Sequence, residues 1–129
     1  EHLYKTGLTN QDISRELDEL KLDRTPIICD SAEPKSIEEL HRLGHNVKPS
    51  KKGPDSIRLG IDIMKRHKLF VLKDSLNAQK EFRNYRWEVD RNGTQLNKPI
   101  DNNNHIIDAV RYICINRIGT PYSGKYFIT

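Results

Sequence analysis

The sequence predicts an α/β fold, with a mixed or parallel sheet flanked by helices. Two observations carry this. Short apolar runs ("PIICD", "LFVL") alternate along the chain with longer segments whose apolar residues recur every three to four positions. The helical segments carry start or stop signals such as Thr9, Pro34, Gly53-Pro54 and Gly119. At 129 residues the chain has room for one domain, 1–129, and not for two ordinary ones.

In order, "TNQDISRELDELK" is a helix over 9–21, capped by Thr9, with Ile13, Leu17 and Leu20 at i, i+4, i+7. "TPIICD" is a short buried strand ending at Asp30. "SAEPKSIEELHRLG" is a helix with Pro34 in its first turn, Gly44 as its stop, and Ile37, Leu40 and Leu43 as its inner stripe. "HNVKPS" is a short strand or extended segment. "KKGPDSIRLGIDIMKRHK" is a helix opened by Gly53-Pro54, with Ile57, Ile61 and Met64 on one side. "LFVL", residues 69–72, is a second buried strand, and "DSLNAQKEFRNYRW" another helix. "WEVDRNGTQL" is a hairpin with Asn92-Gly93 as a two-residue turn. The last long helix covers 103–118, ended by Gly119 and Pro121, and 119–129 is a flexible tail.

Composition narrows the function. Hydrophobic residues are 35% and charged ones 31%, polar for a globular domain but above the disordered regime. A net charge of +4 tilts toward a polyanionic partner. Cys29 and Cys114 lie in apolar runs without metal-type spacing, as reduced thiols of a cytosolic protein do. No apolar stretch approaches the 18 residues of a membrane span, and no secretory signal is visible. The expected location is therefore cytoplasmic. The chain opens on "EHLYKTGL" without a starting Met and reads as a fragment of a longer protein. P-loop, GxGxxG, GxSxG and HExxH motifs are absent from the sequence.

Three constellations stand out. Asp30 ends an apolar strand, where α/β folds gather ligand sites, although Asp30 or Ser31 could equally cap the next helix. On the last helix, Ile106, Ile107, Val110, Ile113 and Cys114 fall on one arc, the core side. His105, Asp108, Ala109, Tyr112 and Asn116 fall on the other, which is either solvent or a cleft. Asp108 in the first turn also suits the helix dipole. Between Lys48 and Lys68 stand seven basic residues against two acids, a net +5 that exceeds the whole-chain charge. Such a concentration is what phosphate-backbone contact needs. Its "KPSKKG" loop, just before a helix N-terminus, is the better candidate for that contact.

The segments "IICDSAEPKSIEELHRLG", "VKPSKKGPDSIRLGIDIM" and "NKPIDNNNHIIDAVRY", in this order from about residue 5 to 118, resemble the nuclease domain of the large terminase subunit of tailed bacteriophages. The resemblance implies a ribonuclease H-like fold in which carboxylates from two strands and a helix hold two divalent metals, Mg²⁺ or Mn²⁺, that cut concatemeric DNA during packaging. Position by position, it makes Asp30 the acid of the second catalytic strand and Asp108 the acid of the final helix. His105 becomes the histidine beside the metals, an auxiliary ligand or proton-handling group. Lys51 and Lys52, with Lys48 and Arg58, become the DNA-facing basic surface, and the role of Glu33 in "SAEP" stays open between site and structure. Implied partners are double-stranded DNA, the terminase small subunit and the portal, in the bacterial host cytoplasm.

The sequence departs from this pattern at its start. The family's first catalytic aspartate lies on a strand upstream of anything in this sequence, so a fragment lacking the first strands is expected, with an incomplete metal site and weak or no activity of its own. The Ile27-Ile28 strand edge is then expected bare and prone to self-association. Two alternatives stand beside this reading: a non-catalytic nucleic-acid-binding module, and another ribonuclease H-like nuclease of resolvase or transposase type.

Overall fold

A computed structural model describes residues 1–119 of the chain. Its elements are α1 (Asn10–Glu19), β1 (Ile27–Cys29), α2 (Pro34–Arg42), β2 (Val47–Pro49), α3 (Ser56–Lys65), α4 (Leu76–Asn84), β3 (Trp87–Val89), β4 (Gln95–Pro99) and α5 (His105–Ile113), which continues as a π-helical turn over Cys114–Ile118. The class is the α/β expected. The predicted tail lies outside the described residues from 120 onward.

Local chemistry sets the early elements. Thr9 caps α1 in a full capping box, its hydroxyl accepting the Asp12 N–H while Asp12 accepts the Thr9 N–H. Pro34 opens α2, where its missing N–H costs nothing. α2 makes the crossover that lets β1 and β2 pair in parallel, with Ile27, Ile28 and Cys29 opposite Val47, Lys48 and Pro49. Among the described residues no strand pairs with the other edge of β1.

The core lies where α3, α5 and the π turn meet: Ile63, Met64, Ile107, Cys114 and Ile115, with Phe82, Tyr85 and Val110 against them. Gly60 permits this approach. A Cβ there would stand 2.1 Å from Arg111 Cγ and 3.2 Å from Ile115 Cδ1. No helix of the described residues is long and apolar enough to cross a membrane.

Several expectations need correction. "LFVL" is not a buried strand: Leu69, Phe70, Val71 and Leu72 run exposed along the surface, Phe70 at 81%. A strand forms only where its backbone groups find a partner strand, and 69–72 pairs with no edge of either two-stranded sheet. The segment ends instead in a turn, with the Ser75 N–H donating to Leu72 O. Ile57 and Leu43 are exposed, because they sit in the first turn of α3 and at the end of α2, beyond the packed stretches. The buried face of α3 is Gly60, Ile61, Ile63 and Met64.

The hairpin turn is not the two-residue kind. Gly93 has a positive φ of 79° and Asn92 does not. Asp90 N–H donates to Thr94 O and Gly93 N–H donates to Asp90 O, which makes a three-residue loop with glycine at the left-handed position. In α5 the buried face is rotated from the predicted arc. Ile107, Arg111, Tyr112, Cys114 and Ile115 are buried, whereas Ile113 is 39% exposed and Ile106 and Val110 only half-buried. The cause is what α5 packs against: Arg111 lies across Gly60 of α3 and Tyr112 under the Lys52 side chain, while Ile106, Val110 and Ile113 line an open groove with Leu3 and Leu69.

Candidate functional site

Asp30 follows the last residue of β1, and the parallel pairing brings the loop after β2 alongside it. Ser50 clasps the two strand ends. Its N–H donates to Cys29 O at 2.7 Å, and its buried hydroxyl accepts the Ser31 N–H at 3.3 Å. The next residue ties the loop to the π turn, as the Lys51 N–H donates to Asn116 Oδ1 at 3.2 Å. Held at both ends, the loop places Lys52 Nζ 2.5 Å from Asp30 Oδ1. That oxygen also accepts the Ala32 N–H at 2.9 Å. Asp30 thus closes a short turn ahead of α2, but it does not cap the helix, whose N-cap is Glu33. The Lys52 ammonium first, then the Ala32 N–H, hold the Asp30 carboxyl below its ordinary range, and Asp30 in turn raises the Lys52 ammonium.

Tyr112 joins this pair to α5. Lys52 Nζ lies 5.8 Å from the centre of its ring and the Arg111 guanidinium 5.1 Å. The Tyr112 hydroxyl also helps to keep Asp30 ionised, after Lys52 and the Ala32 N–H. Burial pushes the Tyr112 hydroxyl up, and so do the charges of Asp108 and Asp30. Asp108, half-buried on α5, accepts a 2.7 Å bond from Arg111 Nη2. Arg111 is buried at 6% exposure beneath it, crossing Gly60, and its Nε has no hydrogen-bond partner. The structure therefore gathers Asp30, Lys52, Tyr112, Arg111 and Asp108 into one charged cluster.

His105 is placed differently. Its exposed ring stands 6.2 Å from that of Tyr4, in an apolar groove of about 1190 Å³ lined also by Leu3, Leu69, Ile106 and Ile113. The groove contains none of Asp30, Lys52 or Asp108. Lys48 on β2 and Arg58 on α3 are exposed, and Glu33 is exposed with no capping bond from its side chain.

Three contributors escaped the sequence reading. Arg111 had a signal, its i+3 spacing from Asp108. Ser50 had none in the sequence. Glu81, on α4, is 2% exposed and accepts the Ile106 and Ile107 N–H groups at 2.7 and 3.1 Å and the Tyr4 hydroxyl at 3.0 Å. Asn104, the N-cap of α5, makes no side-chain cap bond, so a carboxylate from another helix does the capping and fixes the turn that carries Asp108.

Asp30 and Asp108 offer hard carboxylate oxygens that solvent can reach, the donor type that Mg²⁺ and Mn²⁺ take, and such ions complete their shells with water and substrate phosphate. The donor set fits in kind. Among the described residues, the one trio of His, Cys, Asp or Glu close enough to share an ion lies elsewhere, at His2, Glu16 and Glu19 on the surface.

The family described as the terminase RNAseH-like domain matches residues 1–114. The large terminase subunit of Bacillus phage SPP1 is 38% identical over 98 residues, covering 71% of this chain and 23% of that protein. The chain thus spans about a quarter of that relative's length. The crystal structure of the large terminase nuclease domain from bacteriophage SPP1, with bound Mn, superposes with a TM-score of 0.76 at 31% identity, covering 87% of this chain and 66% of that one.

Proposed function

The chain belongs to the terminase RNAseH-like domain family, and from this premise we propose that it is nuclease-domain sequence of a phage or prophage large terminase subunit, a metal-dependent endonuclease that cuts concatemeric DNA during genome packaging. The observation that carries the proposal is the cluster around Tyr112, in which a strand-end carboxylate and a helix carboxylate stand with a lysine from the loop between them. The manganese in the related nuclease domain supports divalent-metal use.

In this reading Asp30 and Asp108 supply carboxylate oxygens to a pair of Mg²⁺ or Mn²⁺ ions. Bound there, such ions lower the pKa of a water and stabilise the leaving oxygen. The chain's own residues do the rest. Arg111 fixes the Asp108 carboxylate, Glu81 fixes the turn beneath it, and the Ala32 N–H holds Asp30. Lys48, Lys51, Lys52 and Arg58 meet the DNA backbone, whereas His105, on the first turn of α5, faces the Tyr4 groove and is given no proton-handling role at the carboxylates. The proposed setting is the host cytoplasm, with double-stranded DNA as substrate and the terminase small subunit and the portal as partners. With Asp30 and Asp108 as its site carboxylates, the chain by itself is proposed to be weakly active.

A plasmid-nicking assay with Mn²⁺ on the full large subunit tests the assignment. Asp30→Ala and Asp108→Ala should each lower the rate at least about a hundredfold. Wild-type nicking by both variants would sink it.

A further inference from the structure

We infer that Lys52 is a built-in competitor for the metal position at Asp30: its ammonium occupies the carboxylate until a divalent cation displaces it, and the displaced side chain then serves as a ligand for a substrate phosphate. This rests on the metal-dependent nuclease reading above.

The geometry gives the reason. Asp30 Oδ1 already takes two donors, Lys52 Nζ at 2.5 Å and the Ala32 N–H at 2.9 Å, so a cation that engages both carboxylate oxygens must displace one of the two donors. The Ala32 bond belongs to the backbone turn and stays. The lysine is the partner that can leave. A cation entering beside it meets like charge, because the Lys52 ammonium and the Arg111 guanidinium both lie over the Tyr112 ring, at 5.8 and 5.1 Å from its centre. Arg111 is buried and committed to Asp108, whereas the Lys52 side chain is 45% exposed. Lys52 therefore yields. It does so by side-chain rotation, since Ser50 and Lys51 pin the loop to β1 and to the π turn through backbone N–H groups. A lysine turned out from this point stays beside the carboxylate it left, on the loop that also carries Lys51, where a phosphate next to the ion would lie.

Mn²⁺ titration of the full chain, followed by the paramagnetic resonance signal of free Mn²⁺, separates the inference from the reading beneath it. Asp30→Asn should weaken binding at least about tenfold, and unchanged binding would overturn the metal reading and this inference with it. Lys52→Gln should tighten binding about threefold to fivefold. The gain should persist in 0.5 M salt, where charges acting through solvent are screened within about 4 Å. If Asp30→Asn weakens binding and Lys52→Gln leaves it unchanged, the metal reading stands and the competitor role fails. A second readout needs no variant. Acylation of Lys52 by an amine-reactive ester, read by peptide mass spectrometry, should be slow without Mn²⁺ and several times faster with it. A rate indifferent to Mn²⁺ would also overturn the inference.

Discussion

Arg111 and Glu81 show how single buried charges shape the site. Arg111 lies across Gly60, whose missing Cβ leaves room for the guanidinium stem, and ends on Asp108. Gly60→Ala forces that stem to move. It should cost about 1–3 kcal/mol in urea unfolding, with Asp108 losing its fixed orientation. Glu81→Ala leaves two buried N–H groups and the Tyr4 hydroxyl without their acceptor. The expected loss is about 3 kcal/mol, and Glu81→Gln, which keeps an acceptor oxygen, should lose less. Equal stability of the Ala variant and wild type would remove Glu81 as the cap of α5. Neither role could be read from the sequence. Glu81 is separated from Ile106 by 25 positions, and Gly60 looks like any tolerated helix glycine until the facing helix is known.

At the level of elements, what the sequence revealed depended on how local the cause was. α1 follows from Thr9 and Asp12, three residues apart, and α2 from Pro34; both were legible. "LFVL" has the composition of a strand but is brought to no sheet edge, and composition does not report on pairing. The rotated face of α5 depends on Gly60 of the facing helix admitting Arg111, which no spacing rule anticipates. The locality of α1 also makes it testable alone. Asp12 is held below its ordinary carboxyl value by the Thr9 N–H first, then by the Thr9 hydroxyl and Arg15. A depressed folded value means the contribution is complete above the unfolded value, about 3.9, and is lost as pH falls through the folded one. The difference in stability between wild type and Asp12→Asn should thus be constant near neutrality and shrink below pH 4. A difference that grew on acidification would contradict the capping box.

Across the whole molecule, charge and apolar surface are segregated. The basic loop and the charged cluster share the carboxyl ends of β1 and β2, while Leu69, Phe70, Leu72 and Leu76 are exposed elsewhere. If Lys48, Lys51, Lys52 and Arg58 all reach phosphate, log binding constant against log salt should fall with a slope of about −3 to −4 on duplex DNA. A slope near zero would remove the basic loop from the interface. The edge of β1 that no strand among the described residues covers, together with the exposed 69–72 segment, is expected to promote association between copies. Multi-angle light scattering should show mass rising with concentration, and a clean monomer at the highest concentration would count against it. The α/β class and the succession of motifs were legible in the sequence, and the assembly of Asp30, Lys52, Tyr112 and Asp108 was legible only in part. Resemblance pointed to the carboxylates, but Tyr112 had no assigned role, and Lys52 was read as a DNA contact when its first partner is Asp30.

The amides at the start of a helix have no acceptor within it and ordinarily trade their protons with water fastest. Those of Ile106 and Ile107 are closed into the Glu81 carboxylate, which is itself shielded by α4. Their deuterium uptake is therefore governed by departures of α4, a segment 25 residues earlier in the chain. Exchange at these two positions acts as a clock on a helix that carries neither of them.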